Sequence, residues 1–218
     1  MKSGQQERVS VVRVGAFTAT YLVSATIASF VLGNREFLFY IVVMVILIGA
    51  VWWVHSRVSL TSGALWALSV WGLAHMMGGL LPLPDGWPYD GEHQVLYSLW
   101  LIPDRLKYDQ LVHAYGFGVT TWVCWQALEA ILMSAGAKNV RPTFGMLVLA
   151  VAGGMGFGAL NEVIEFIATL MVPNANVGGY VNTGWDLVAN LIGATIAATL
   201  VYAGALRRNV EIANRDSL

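Results

Sequence analysis

FLFYIVVMVILIGAVWWV, residues 37–54, holds no charged side chain. At about 1.5 Å per residue a helix over it measures about 27 Å, close to the ~30 Å hydrocarbon core of a bilayer. The run is apolar on every face, whereas a barrel strand alternates polar and apolar positions. In lipid the backbone has no partner but itself, so a stretch like this spans as a helix.

Five more stretches read the same way, at 11–32, 61–81, 109–134, 143–172 and 183–205. The expected fold is an all-α integral membrane bundle of six transmembrane helices in a single domain, 1–218, with one long loop at 82–108. The stretch at 143–172 is long for one span, which predicts a tilt or an extension past the bilayer. Composition agrees: hydrophobic residues make up 57% of the chain and charged ones 11%, against about 25% charged in a soluble domain. Mean hydropathy is +0.63. A net charge of −1 offers nothing to a nucleic acid. The single cysteine, Cys124, excludes an intrachain disulfide framework and a multi-Cys metal site. Lys2, Arg8 and Arg13 precede an apolar stretch too long for the core of a cleaved signal, so the first span is expected to be retained.

Basic residues set the orientation. With the N-terminus inside, Lys2, Arg8, Arg13, Arg57, Lys138, Arg141, Arg207, Arg208 and Arg215 are cytoplasmic, and Arg35, Arg105 and Lys107 are not. That is 9 against 3 of the 12 Lys and Arg residues, which predicts both termini in the cytoplasm. The loop 82–108 is then extracytoplasmic. It opens with PLPDGWPYDG, unsuited to a helix. Val95, Leu96, Leu99 and Ile102 follow at helical spacing, so EHQVLYSLWLIPD either lies flat in the interface or packs as a loop.

Ionisable side chains within spans are costly and carry most of the functional information. They are His75, Asp109, His113, Glu162, Glu165 and Asp186, with Asn161 and Asn190 beside them. Asp109 and His113 are four apart, as are Asp186 and Asn190, while Glu162 and Glu165 are three apart, so each pair shares a helix face. The alternating directions of the spans put all of these groups at one outer level. Gly72, Gly79, Gly116, Gly154, Gly158 and Gly193 continue the same faces, which predicts close helix packing. Spans three to six should therefore enclose a polar pocket open to the outside, with the first two spans peripheral.

Three readings of the pocket follow. His75, Asp109, His113, Glu162, Glu165 and Asp186 suit a Zn²⁺, Mn²⁺ or Fe²⁺ ion, which would relieve the mutual repulsion of four acids. A metal-activated water could then attack a lipid headgroup or phosphate ester, with Glu162 and Glu165 as catalytic carboxylates and Asn190 orienting a ligand. Alternatively the cluster binds a lipid-linked or amphiphilic small molecule, or relays protons, without chemistry. In the third reading the polar groups only staple four helices together. The bilayer is the one partner every reading requires; oligomeric state stays open.

The segments RLKYDQLVHAYGFG, GALNEVIEF and GYVNTGWDLVANLIGA, within residues 104–204, resemble VanZ-like membrane proteins and within them YjdF-like inner-membrane proteins. The resemblance implies a multi-span bacterial membrane protein facing the envelope. Two departures separate this chain from the VanZ pattern: Glu165 stands where Gln is frequent, and no basic residue precedes Asp186 in its loop.

Overall fold

The computed structural model describes residues 2–91, 93–173, 175–177 and 179–216, with side chains described from residue 10 to residue 207 of these. Six long helices dominate: α1 (Lys2–Leu32), α2 (Arg35–Val58), α3 (Ser62–Leu80), α4 (Tyr108–Ser134), α5 (Phe144–Met171) and α6 (Tyr180–Asp216). The sequence explains where several of them start and stop. Asn34 caps α2 by accepting from the Phe37 amide at 3.0 Å, and Gly33 at φ +63° makes the two-residue reversal before it possible. Thr61 and Thr143 cap α3 and α5 by accepting from the amides of Ala64 and Met146.

Four of the helices are long and apolar enough to cross a membrane: Ser10–Leu32, Arg35–Val58, Phe144–Met171 and Tyr180–Arg207. α4 falls short on composition because Asp109, Gln110, His113, Gln126 and Glu129 interrupt it. Its position explains the tolerance. α4 is the hub of the bundle, packing on α6 most extensively and also on α5, α3 and α2. Gln110 and His113 are buried among those neighbours.

Glycine lets α4 and α6 approach backbone to backbone. A Cβ on Gly193 would overlap the Ala114 carbonyl oxygen, and one on Gly118 would lie 3.0 Å from the Gly193 oxygen. Other glycines make room for side chains instead. Gly79 makes room for the Phe37 ring, Gly116 for the Trp71 indole and Gly72 for the Tyr21 hydroxyl. α1 and α2 are thus less peripheral than their lack of acids and histidines suggested: Tyr21, Phe37 and Tyr40 pack into one buried cluster with Met76 of α3.

The α1–α2 turn, the segment 81–107 and the segment 172–179 share one end of the bundle. There the Asn176 amide donates to Glu36 Oε2 at 2.8 Å. At the opposite end Ser10 bonds Ser62, and the Thr61 amide donates to Gln126 Oε1 at 2.8 Å. The long loop departs from the interfacial helix that was one of its two readings. Among its described residues the only helical piece is a 3₁₀ turn at Leu96–Ser98, followed by an antiparallel pair, β1 (Trp100–Ile102) and β2 (Leu106–Lys107). Pro103 cannot continue a helix, and Asp104 at φ +57° reverses the chain. The sheet is tied down by the bridges Pro82↔Val95 and Tyr89↔Leu99. Of the residues behind the orientation reading, the side chains of Lys2, Arg8, Arg208 and Arg215 lie outside the described residues, as do Glu92, Asn174 and Gly178 of the loops.

Candidate metal centre

His113, 5% exposed, lies where α4 faces both α5 and α6. Its Nδ1 is 3.1 Å from Asn190 Oδ1. An amide oxygen accepts, so in the neutral ring the proton sits on Nδ1 and the lone pair on Nε2. Nε2 lies 3.6 Å from Asp109 Oδ1 and 3.8 Å from Glu165 Oε1. Glu162 Oε1 stands 3.8 Å from Nδ1. Asp186, fully buried, joins from α6. α6 delivers Asp186 and Asn190 on one face, one turn apart, as α5 delivers Glu162 and Glu165. Gly158 clears the path, because a Cβ there would sit 2.7 Å from Asn190 Nδ2.

Asparagines hold the carboxylates in place. Asn182 donates from Nδ2 to Asp186 Oδ2 at 2.6 Å and faces Asp109 Oδ2 at 3.5 Å. Asn161 donates to Glu165 Oε1 at 2.7 Å. Lys107, just before α4, donates to Asn182 Oδ1 at 3.2 Å and pairs with Asp90 of the loop at 2.8 Å. Its ammonium also sits 5.2 Å over the Trp100 ring. Lys107 thus brings a positive charge to the rim of the centre.

Two overlapping groups of ligand atoms meet within 4.8 Å: Asp109, His113 and Asp186, and His113, Glu162 and Glu165. His113 belongs to both, so the arrangement suits one ion. The nitrogen–oxygen separations of 3.6 and 3.8 Å are too long for hydrogen bonds. Around a tetrahedral Zn²⁺ with bonds near 2.1 Å, ligand atoms stand about 3.4 Å apart, a few tenths of an ångström less than these two nitrogen–oxygen separations. Glu162 Oε1, Asp186 Oδ1 and Asn190 Nδ2 are buried without a hydrogen-bond partner. Leaving such atoms unpaired costs about 1–3 kcal/mol each, and more for charged ones. A cation would satisfy the two carboxylate oxygens.

His75 stands apart from both ligand groups. It packs edge-on against Tyr40 and Tyr97, with Phe37 nearby, and its Nδ1 bonds the Tyr97 hydroxyl. Burial, reinforced by the carboxylates of Asp109 and Glu165, pushes the Tyr97 phenol well above its ordinary pKa. A protonated phenol can donate to Nδ1 or accept from it, so this bond engages Nδ1 in either tautomer. His75 is thus engaged with the aromatic cluster and belongs to neither converging group.

A polar cavity of about 990 Å³ leads from the loop end to the centre. Asp109 and Asn182 line its floor, and Lys107, Trp100 and Trp185 its walls. Neither Asn182 nor Lys107 was among the candidate residues, although the four-residue spacing of Asn182 and Asp186 was a visible signal. Lys107 had been counted only as a loop charge.

The family model described as "Predicted membrane protein (DUF2238)" matches residues 13–207, and the chain belongs to that family. No curated protein and no solved structure matches the chain.

Proposed function

We propose that this member of the family is a six-span protein of the bacterial inner membrane that binds one divalent cation around His113 and acts on a lipid-linked substrate from the extracytoplasmic side. The observation that carries the reading is the pair of buried carboxylate oxygens without hydrogen-bond partners, Glu162 Oε1 and Asp186 Oδ1, beside a histidine whose lone pair faces two more carboxylates. Two like charges 4 Å apart repel by about 4 kcal/mol at an effective dielectric near 20, so one imidazolium cannot offset four acids. A divalent ion comes closer. In this reading Asp109, His113 and Asp186 hold the ion, Asn190 fixes the imidazole tautomer, and Asn182 orients the two aspartates.

The cation would acidify a coordinated water. Glu162 or Glu165 would take that proton as the water oxygen attacked a phosphate or acyl centre, and the ester oxygen would leave with a proton returned from the same carboxylate. The resemblance to VanZ-like and YjdF-like proteins enters this reading for the envelope-facing location alone. A reporter fused after Leu218 is expected to be active only in the cytoplasm; activity on the other side would reverse the orientation.

A second reading has its own support. The amides of Asn161 and Asn182 already satisfy Glu165 and Asp186 in part, as they would in an amphiphile-binding protein whose cluster is structural or relays protons. Elemental analysis of the detergent-purified chain separates the two. The cation reading expects about one Zn, Mn or Fe per chain, and less than about 0.1 in the absence of chelator removes it.

A further inference from the structure

A second, apolar cavity of about 500 Å³ runs between α1, α2 and α3 and reaches α5, within the ~300–1,000 Å³ range of ligand pockets. Val14, Leu47, Ile48, Val51, Leu65 and Leu68 are among the apolar residues of its wall. On α2 it extends from Tyr40 to His55, 15 residues and so about 22 Å of helix. Half of a ~30 Å hydrocarbon core is about 15 Å. The groove therefore runs deeper than one lipid leaflet.

Both of its ends carry polar groups: His55 lies at the one near the end of α2, and the other is the one that nears the His113 centre. Asn161 and His75 line it there, and Asn161 is the residue that donates to Glu165. A single amide thus separates the groove from the His113 centre. His75, with Nδ1 engaged by Tyr97, has only Nε2 left for whatever reaches that end. The slot is also open where a side chain could fill it: nothing lies within 4 Å of a Cβ placed on Gly15, a lining residue of α1.

We propose that this groove holds the single hydrocarbon chain of a long amphiphile of the polyisoprenyl phosphate class, with the phosphate at the His75–Asn161 end beside His113. The chain follows from the groove's length and apolar wall. The anionic head rests on the cation reading above, because a phosphate oxygen is the natural further ligand of an ion already held by carboxylates and an imidazole. A glycerophospholipid has two chains, each matched to one leaflet, and fits the groove less well.

Photolabelling of the full chain in nanodiscs tests this, with a diazirine-bearing polyprenyl phosphate as probe and phosphatidylglycerol carrying the same group as comparison. Labels from the polyprenyl probe are expected on Leu47, Val51 and Leu68. Gly15→Phe and, independently, Ala19→Phe should lower that labelling about tenfold, the loss of roughly two buried methylenes, with the metal content unchanged. Labelling indifferent to both substitutions, or spread over the outer face of α5 at Leu149, Phe157 and Leu170, overturns the proposal. So does equal labelling of the same positions by phosphatidylglycerol. Specific labelling of a metal-free chain would keep the groove and remove the cation, whereas diffuse labelling of a metal-loaded chain would do the reverse.

Discussion

His113→Ala is expected to drop the bound divalent metal from about one ion per chain to below about 0.1, the largest effect of any single substitution in the centre. The reason is arithmetic of ligands. Both groups of converging side chains share His113, and it supplies the only nitrogen in either. Losing one carboxylate leaves three others within reach, whereas losing the imidazole removes the nitrogen ligand that favours Zn²⁺ or Fe²⁺ over a hard ion. The substitution also strips Asn190 Oδ1 of its donor in a fully buried position, so some stability falls as well. His113→Gln keeps a donor there and should fold. Elemental analysis of both variants decides the matter: metal retained near the wild-type level would show that the ion sits elsewhere.

Gly193→Val is expected to abolish the folded bundle, while Gly184→Val on the same helix is tolerated. A Cβ at 193 collides with the Ala114 carbonyl of α4, and a backbone atom cannot swing aside as a side chain can. A Cβ at 184 meets nothing within 4 Å. Replacing glycine in a helix gains at most about 1 kcal/mol in propensity, and less for valine. Overpacking typically costs about 1–3 kcal/mol and more where neither partner can move. Since α4 and α6 form the most extensive contact in the molecule and carry His113, Asp186 and Asn190 between them, the clash should separate the halves of the centre. Size-exclusion profiles in mild detergent measure it: an aggregated Gly193→Val beside a monodisperse Gly184→Val is the expected pair. Equal profiles would contradict the packing.

The same two substitutions mark what was legible in the sequence. Long apolar runs locate helices because a bilayer penalises polar backbone everywhere, so residues 37–54 needed no further context. Acids and histidines inside such runs are equally visible, and spacing alone placed Glu162 with Glu165 and Asp186 with Asn190. What spacing cannot encode is lateral position. His75 shares the depth of the cluster, yet it sits in an aromatic setting built by Phe37, Tyr40 and Tyr97 from two other segments. Lys107 reads as an ordinary loop charge until the fold brings Asn182 to it, 75 positions later. In the loop, Val95, Leu96, Leu99 and Ile102 fitted a helical period, but a turn at Pro103 and Asp104 with pairing to β2 overrode it. Gly193 pointed to close packing without naming its partner. The Ala114 carbonyl is the part only coordinates supply.

X-ray absorption at the metal edge of the purified chain tests the central claim most directly. A cation held by His113, Asp109 and Asp186 should show one imidazole nitrogen with oxygen neighbours at about 2.0–2.2 Å, and the nitrogen signature should vanish in His113→Gln. A shell of oxygen alone in the wild type, or a spectrum that His113→Gln leaves unchanged, would contradict the account.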